Sequence, residues 1–420
     1  MSSAGGPGAG FVAGAGAGGL GLTVAADPID FVRLRAERRR RLFDAMADGG
    51  VDVLVLGRPA NVAYASGAQQ LWTAGARPFG PACLVVRSTR RVHLLSTWDA
   101  GVPPEIVHDD LFGLSWNPAI LASNLRSIAG LGDATRIATD GFSPGARQWL
   151  GAVCPHAAVV DATPVLSRAR TPKTADELAC IVSAASIAEA ALSALVVALD
   201  PGVTERQLVG VYAEAIAGLG APTPPTEAVV CATPRQGPVR LRRLATDRRL
   251  APGELVALNP GAFYGGYEGT LARTWVVGSM VPSPAQRRLA QRCRETLEVV
   301  LDACRAGTTG AEVCRVWDST GEAPPPEPFV RGVGLGAELP LIGHRVGQSA
   351  HLVAGAVLAV TAWVAEDGVG GVLEQDLVLV TDGEPARLTR YGRGPLAIDG
   401  HGPDGHGLDG HGLDGDGLPG

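Results

Sequence analysis

The chain has 420 residues, 46% hydrophobic and 19% charged, which is enough apolar content for a globular protein of roughly two to three domains. Its 36 basic residues are outnumbered by 42 acidic ones, and the net charge of −6 argues against a nucleic-acid or anionic-membrane partner. Seven cysteines, an odd count without a C-x-x-C pair, fit buried thiols in a reducing compartment better than a disulfide framework or a zinc knuckle.

Both ends are of low complexity. Residues 1–27 are rich in Gly, Ala, Ser and Pro, bury too little side chain to offset backbone entropy, and are predicted to be disordered. They lack the basic start of a secretory signal, and glycine breaks their apolar stretch throughout. Residues 393–420 run into a five-residue Asp-Gly repeat with interspersed histidines and read as a flexible spacer. No unbroken run of about 20 apolar residues is present, so no membrane span is expected and the protein reads as cytoplasmic. Lys173 is the one lysine, and the Ala, Gly and Arg bias reads as GC-rich, bacterial coding without chemical meaning.

The first helix is predicted just after Asp27-Pro28, with Phe31, Leu34, Leu42, Phe43 and Met46 on its apolar side. Its arginines (33, 35, 38, 39, 40 and 41) read as a solvated face. Short apolar runs at 51–56, 82–86, 92–95 and 137–139 read as strands, with a helix at 117–128, in an α/β pattern. Residues 167–174 have linker chemistry around Pro172, which places a domain boundary near 168, between a unit at 28–168 and one at 169–392. A long Ala-rich helix is predicted over 175–199, broken by Pro201-Gly202. Thr204 and Gln207 form a capping box for the next helix. Strands at 255–258 and 274–277, a helix at 284–306 and strands at 357–364 and 377–380 complete an α+β reading.

Two motifs fail on mechanism. Gly141-Phe142-Ser143-Pro144-Gly145 matches a nucleophile elbow, but that motif needs the backbone N–H that follows the serine, and Pro144 has none. Gly332, Gly334 and Gly336 are spaced too closely for a dinucleotide loop and lack the strand–turn–helix around them.

Residues 254–278 (ELVALNPGAFYGGYEGTLARTWVVG) and 332–381 carry a different likeness. With RPANVAYASG at 58–67, RTPKTADELACI at 170–181 and PGVTERQL at 201–208, they resemble in order and spacing the pita-bread hydrolases: creatinase, aminopeptidase P, prolidase and methionine aminopeptidase. The resemblance implies a creatinase-like α/β N-terminal domain, a pita-bread domain and a homodimer.

Metallopeptidases of this family hold two divalent ions with two Asp, one His and two Glu, because hard cations need anionic oxygen. Carried over by position, the resemblance puts Asn259 and Thr270 where the Asp residues belong, Val333 at the His, and Thr361 and Gln375 at the Glu positions. No metal and no other cofactor is therefore expected. Creatinase works without metal, but its acid–base His falls on Arg242 here, and its substrate-gripping carboxylates fall on Ala272 and Thr361. That leaves no proton shuttle in the inherited places.

The remaining polar candidates are Arg242, Tyr267 and Glu338 for ligand recognition, and His344 and Glu366 for relocated acid–base chemistry. Glu268, His351 and Glu374 complete the polar set. Arg273 and Asp376 read as a brace between strands. Three functions compete: a pseudo-peptidase binding a peptide-like or small carboxylate ligand or a partner protein, a metal-independent hydrolase or lyase of creatinase type, and a metal-dependent Xaa-Pro peptidase. Convergent His and carboxylates would favour an enzyme. An apolar floor built from Val333, Thr361 and Trp363 would favour binding. Arg242 is expected to face the old metal cavity, waiting for a ligand anion unless Glu338 or Glu366 pairs with it.

Overall fold

The computed structural model describes residues 29–68, 83–96, 99–113, 117–141, 144–221, 228–234, 237–278, 280–325, 327–392 and 396. The leader, the terminal repeat and Ser143 of the elbow-like motif lie outside them.

The N-terminal unit comprises α1 (Phe31–Asp48), β1 (Val53–Leu56), α2 (Pro59–Ser66), β2 (Cys83–Val86), β3 (Arg91–Leu95), β4 (Leu111–Phe112), α3 (Pro118–Arg126), β5 (Arg136–Thr139), α4 (Pro144–Val153), β6 (Ala158–Asp161) and α5 (Thr163–Arg170). One six-stranded sheet runs β4-β3-β2-β1-β5-β6, parallel from β1 through β5 to β6. All four residues of β1 are buried, as an apolar run covered on both faces requires. Leu54 and Leu56 pack towards α1 and α5, while Val53 and Val55 pack towards α3 and α4.

The second unit opens with α6 (Ala175–Val197) and α7 (Glu205–Gly218), each started by a complete capping box: Thr174 with Glu177, and Thr204 with Gln207. Next come β7 (Val229–Thr233), β8 (Leu255–Asn259), β9 (Gly261–Tyr264), β10 (Tyr267–Thr270), β11 (Arg273–Val276), α8 (Pro284–Ala303) and α9 (Gly310–Ser319). The chain then forms β12 (Val330–Gly334), β13 (Gly336–Ile342), β14 (Val357–Glu366), β15 (Gly370–Leu379) and β16 (Ala386–Arg387).

Two antiparallel sheets, β11-β8-β7 and β13-β12-β14-β15-β16, meet where Ala272 and Gln375 exchange backbone hydrogen bonds of 3.1 Å. Helices α6 and α7 cover the outer face of the first sheet through Val230, Ala232, Val256 and Leu258. Helices α8 and α9 cover the second through Val360, Ala362, Val364 and Val372. The inner faces of both sheets meet beside this junction in one apolar cluster, on the concave side of the joined sheets.

Helix α6 is long and apolar enough to cross a membrane by length and composition alone. Here it packs along β9, β10 and α7, with Ala184, Ala185 and Ala188 buried. Small residues let the hairpin approach so closely that a Cβ at Gly269 would collide with the Ala185 backbone. Its apolar length is therefore accounted for by packing within the fold.

The arginine-rich face of α1 is not simply solvated, because Arg33, Arg38 and Arg41 find partners in the other unit. Arg38 is buried, 3.9 Å from Glu177 and 4.8 Å from the centre of the Tyr267 ring. Arg33 grips Asp176 through Nε at 2.8 Å and Nη2 at 2.7 Å, and Arg41 donates to the Pro172 carbonyl. Beside them Glu338 takes Arg170 at 2.5 Å and Lys173 at 2.8 Å, all three side chains being largely buried. Burial pushes the Glu338 carboxyl up, but the two cations outweigh it and hold it below the usual carboxylate range. The glycines of β12 serve this seam, since a Cβ at Gly334 would overlap the Glu338 carboxylate.

Candidate functional site

Strand alternation decides what faces the concavity. Val229 and Cys231 of β7, Ala257 of β8 and Leu373 of β15 alternate inward and form one apolar cluster with Ala272 from the link between β10 and β11. Leu241 and Trp363 pack onto it. Trp363 lies against Gly371, where any Cβ would strike its ring.

At the edge of this floor stand four of the five positions singled out from the sequence, and they bond to one another. Asn259 Nδ2 donates to Thr270 Oγ1 at 3.1 Å and to the Leu271 carbonyl at 2.6 Å. Gln375 Nε2 donates to the same Thr270 oxygen at 3.2 Å, which in turn donates to the Pro260 carbonyl at 3.1 Å. Thr361 Oγ1 donates to Gln375 Oε1 at 3.1 Å. The result is a chain of neutral amides and hydroxyls. Among the described residues Asn259 Oδ1 accepts no hydrogen bond, so the network offers an acceptor oxygen from a half-buried residue. Among the described residues, no three His, Cys, Asp or Glu side chains gather as a metal site would need.

The fifth position, Val333, lies elsewhere. It is buried in the core between the two units with Tyr267, Leu335 and Ala359, so the apolar floor is made by Trp363 and its neighbours without it.

Arg242 also departs from expectation. It pairs with neither Glu338 nor Glu366 but with Glu205, the first residue of α7, whose side chain is fully buried. Glu205 further accepts from the backbone N–H of Ala232 at 2.9 Å and of Thr246 at 2.9 Å, and from Thr246 Oγ1 at 2.7 Å. Burial pushes the Glu205 carboxyl up, yet Arg242 and these donors hold it below its ordinary range. The guanidinium is therefore already neutralised within the chain. Sequence reading missed Glu205; its only signal is its place beside a helix cap.

Tyr267 and Glu338 are likewise occupied. The Tyr267 hydroxyl donates to Glu177 at 2.5 Å, and burial raises its phenol far above the usual value, with the Glu177 charge adding to the effect. Both residues brace the seam between the units and do not face the concavity. His344 lies in a turn 2.7 Å from Asp318, and Glu366, exposed at the end of β14, accepts from Arg292 at 3.0 Å. Glu268 is held by Arg331, Glu374 lies 3.8 Å from Arg294, and exposed His351 pairs through its backbone with Thr309. Arg273 and Asp376 form the expected brace at 2.7 Å, buried, with Thr389 donating to the same carboxylate at 2.7 Å.

Comparison with known proteins agrees with this architecture. Residues 38–171 match the creatinase/prolidase N-terminal domain, and residues 179–382 match metallopeptidase family M24. The Xaa-Pro dipeptidase of Pyrococcus furiosus is 27% identical over 242 residues, 54% of this chain, and the chain spans 66% of that relative, just under two thirds. The creatinase of a Bacillus species is 23% identical over 398 residues, covering 85% of this chain and 91% of its own length. The crystal structure of the prolidase from Pyrococcus horikoshii superposes with a TM-score of 0.70 at 21% identity, over 85% of this chain and 99% of that one. An α/β creatinase-type N-terminal domain followed by a pita-bread domain places the chain in the creatinase/prolidase/aminopeptidase P family.

Proposed function

We propose that this chain is a non-metallo member of its family, and that its concave face binds an uncharged, peptide-like ligand without hydrolysing it by metal chemistry. The observation that carries this reading is the closed neutral network of Asn259, Thr270, Gln375 and Thr361. A pair of divalent ions needs several anionic ligands to offset its charge, and neutral amides and hydroxyls, largely bonded to one another with only Asn259 Oδ1 left over, supply none. Val333, buried in the seam, offers no donor atom at all.

Two further features support an uncharged ligand over a small carboxylate. Both cations beside the floor are matched within the chain, Arg242 by Glu205 and Arg273 by Asp376. The floor is apolar, with polar groups confined to its rim, as in sites that bury most of a ligand and orient it by a few hydrogen bonds. A relocated acid–base pair draws no support, since His344 and Glu366 are taken by separate partners at the surface.

The test is elemental analysis of the protein with His401, His406 and His411 replaced by Ala, so that the terminal repeat cannot bind metal. It runs beside an Xaa-Pro dipeptide hydrolysis assay and a screen of neutral peptide amides for a raised melting temperature. The expected result is no stoichiometric metal, no hydrolysis and stabilisation by at least one neutral amide. Two equivalents of Mn, Zn or Co that disappear in Asn259→Ala or Gln375→Ala would overturn the reading.

A further inference from the structure

One stretch of chain crosses the edge of the apolar floor. Residues 237–248 form neither helix nor strand. Leu241 is set down on the floor with Cys231, Ala257 and Trp363. Cys231 lies directly beneath the stretch, its Sγ accepting from the Arg242 N–H at 3.4 Å and donating to the Arg240 carbonyl at 3.7 Å.

The two ends of the stretch are held differently. At its C-terminal end Thr246 and Arg248 bond through their backbones to the first turn of α7, with Arg206 N–H to Thr246 O at 3.1 Å and Glu205 N–H to Arg248 O at 3.2 Å. Among the described residues, 237–245 makes no backbone-to-backbone hydrogen bond. That part is tied by side chains alone. The Val239 N–H donates to Asp367 at 3.0 Å in the β14–β15 turn, Arg243 Nε donates to Glu327 at 3.0 Å, and Arg242 pairs with Glu205. A segment with few backbone bonds and few buried contacts opens at a small fraction of the global unfolding cost.

We propose that residues 237–245 are a gate over the concave face, with Leu241 standing where a ligand's apolar group would lie and the Glu205–Arg242 pair as the latch. The latch is asymmetric. The Arg242 side chain is 34% exposed and can be taken up by water when released. Glu205 stays buried and keeps its bonds to Ala232 and Thr246, so the stretch swings about Thr246 while α7 stays in place. What enters once the gate opens rests on the function proposed above. The gate itself does not, because Cys231 reports its opening without any ligand.

The experiment measures alkylation of the full chain by N-ethylmaleimide, an uncharged probe, resolved by mass mapping at Cys231 and at Cys293. Cys293 is buried in the α8 core of the same domain and serves as the internal reference. Arg242→Met leaves the Glu205–Ala232 bond intact and is expected to speed Cys231 modification about tenfold or more, with Cys293 unchanged. Glu205→Gln should act in the same direction, and Asp367→Ala, which cuts an exposed tie, should give a smaller rise. If Glu205→Gln does not fold, Arg242→Met decides alone. An unchanged Cys231 rate in Arg242→Met, or Cys231 and Cys293 accelerating together, overturns the gate. Loss of ligand stabilisation with a normal Cys231 response would instead sink the binding reading and leave the gate standing.

Discussion

The seam between the two domains and the floor of the concave face lie on one continuous sheet system, yet they are built from opposite chemistry. The seam buries Arg38, Glu177, Arg170, Lys173 and Glu338, each charge matched by a partner at or across the domain boundary. The floor a few residues along the same strands is lined by amides, hydroxyls, the Cys231 thiol and hydrocarbon. The difference shows that this fold readily accommodates buried charge when partners are supplied. Neutrality at Asn259, Thr270, Thr361 and Gln375 is thus a property of that site and not of a scaffold unable to hold ions.

Removing charge from the seam should have the largest effect. Glu338→Ala leaves Arg170 and Lys173 buried without a counter-ion, and the expected loss is about 3–5 kcal/mol in chemical denaturation. Because the folded Glu338 carboxyl sits below its unfolded value, its contribution is complete above about pH 4.3 and fades as pH falls through the folded value. The wild-type protein should therefore lose stability on acidification more steeply than Glu338→Gln, and parallel curves would show that the seam is not an electrostatic clasp.

Adding charge to the floor should come next. Gln375→Glu places a buried carboxylate among neutral side chains, with the adjacent Arg273 already paired with Asp376, which raises its folded pKa. The cost is expected to be about 2–4 kcal/mol at neutral pH and to fade as pH falls below the unfolded value of about 4.3, where the new group becomes protonated in both states. Stability unchanged between pH 4 and 8, or restored by added Mn, would show that the floor tolerates or awaits a cation after all. Thr361→Val is the mildest probe. It deletes one half-buried hydroxyl bond and should cost about 0.5–1.5 kcal/mol, measured by thermal melting in the same buffer.

Much of the scaffold was legible because local rules agree with it. The capping box at Thr204 and the helices expected from 175 and 284 begin where the structure starts them, and the apolar runs predicted at 51–56, 82–86 and 255–258 contain β1, β2 and most of β8. Strands β7, β12 and β13 escaped notice because glycines interrupt their pattern or their runs are short. Gly332 and Gly334 suggested a loop, but they permit close approach of Leu339 and Glu338 within a paired strand. The site was legible only as a set of residue identities. What each side chain touches depended on partners far away in sequence: Arg38 with Glu177, Arg242 with Glu205, Tyr267 with Glu177. An arginine-rich helix looks solvated until the carboxylates that neutralise it arrive from another domain.

The single lysine has a practical meaning. Lys173 Nζ is anchored to Glu338 and to the Arg170 carbonyl at 2.6 Å, at the point where the chain passes from one domain to the other. Acylating reagents therefore find no other side-chain amine on this protein, and they reach this one only when the domains part. Acylation read at Lys173, apart from the chain's α-amine, becomes a clock for the opening of this seam, with no other lysine to compete.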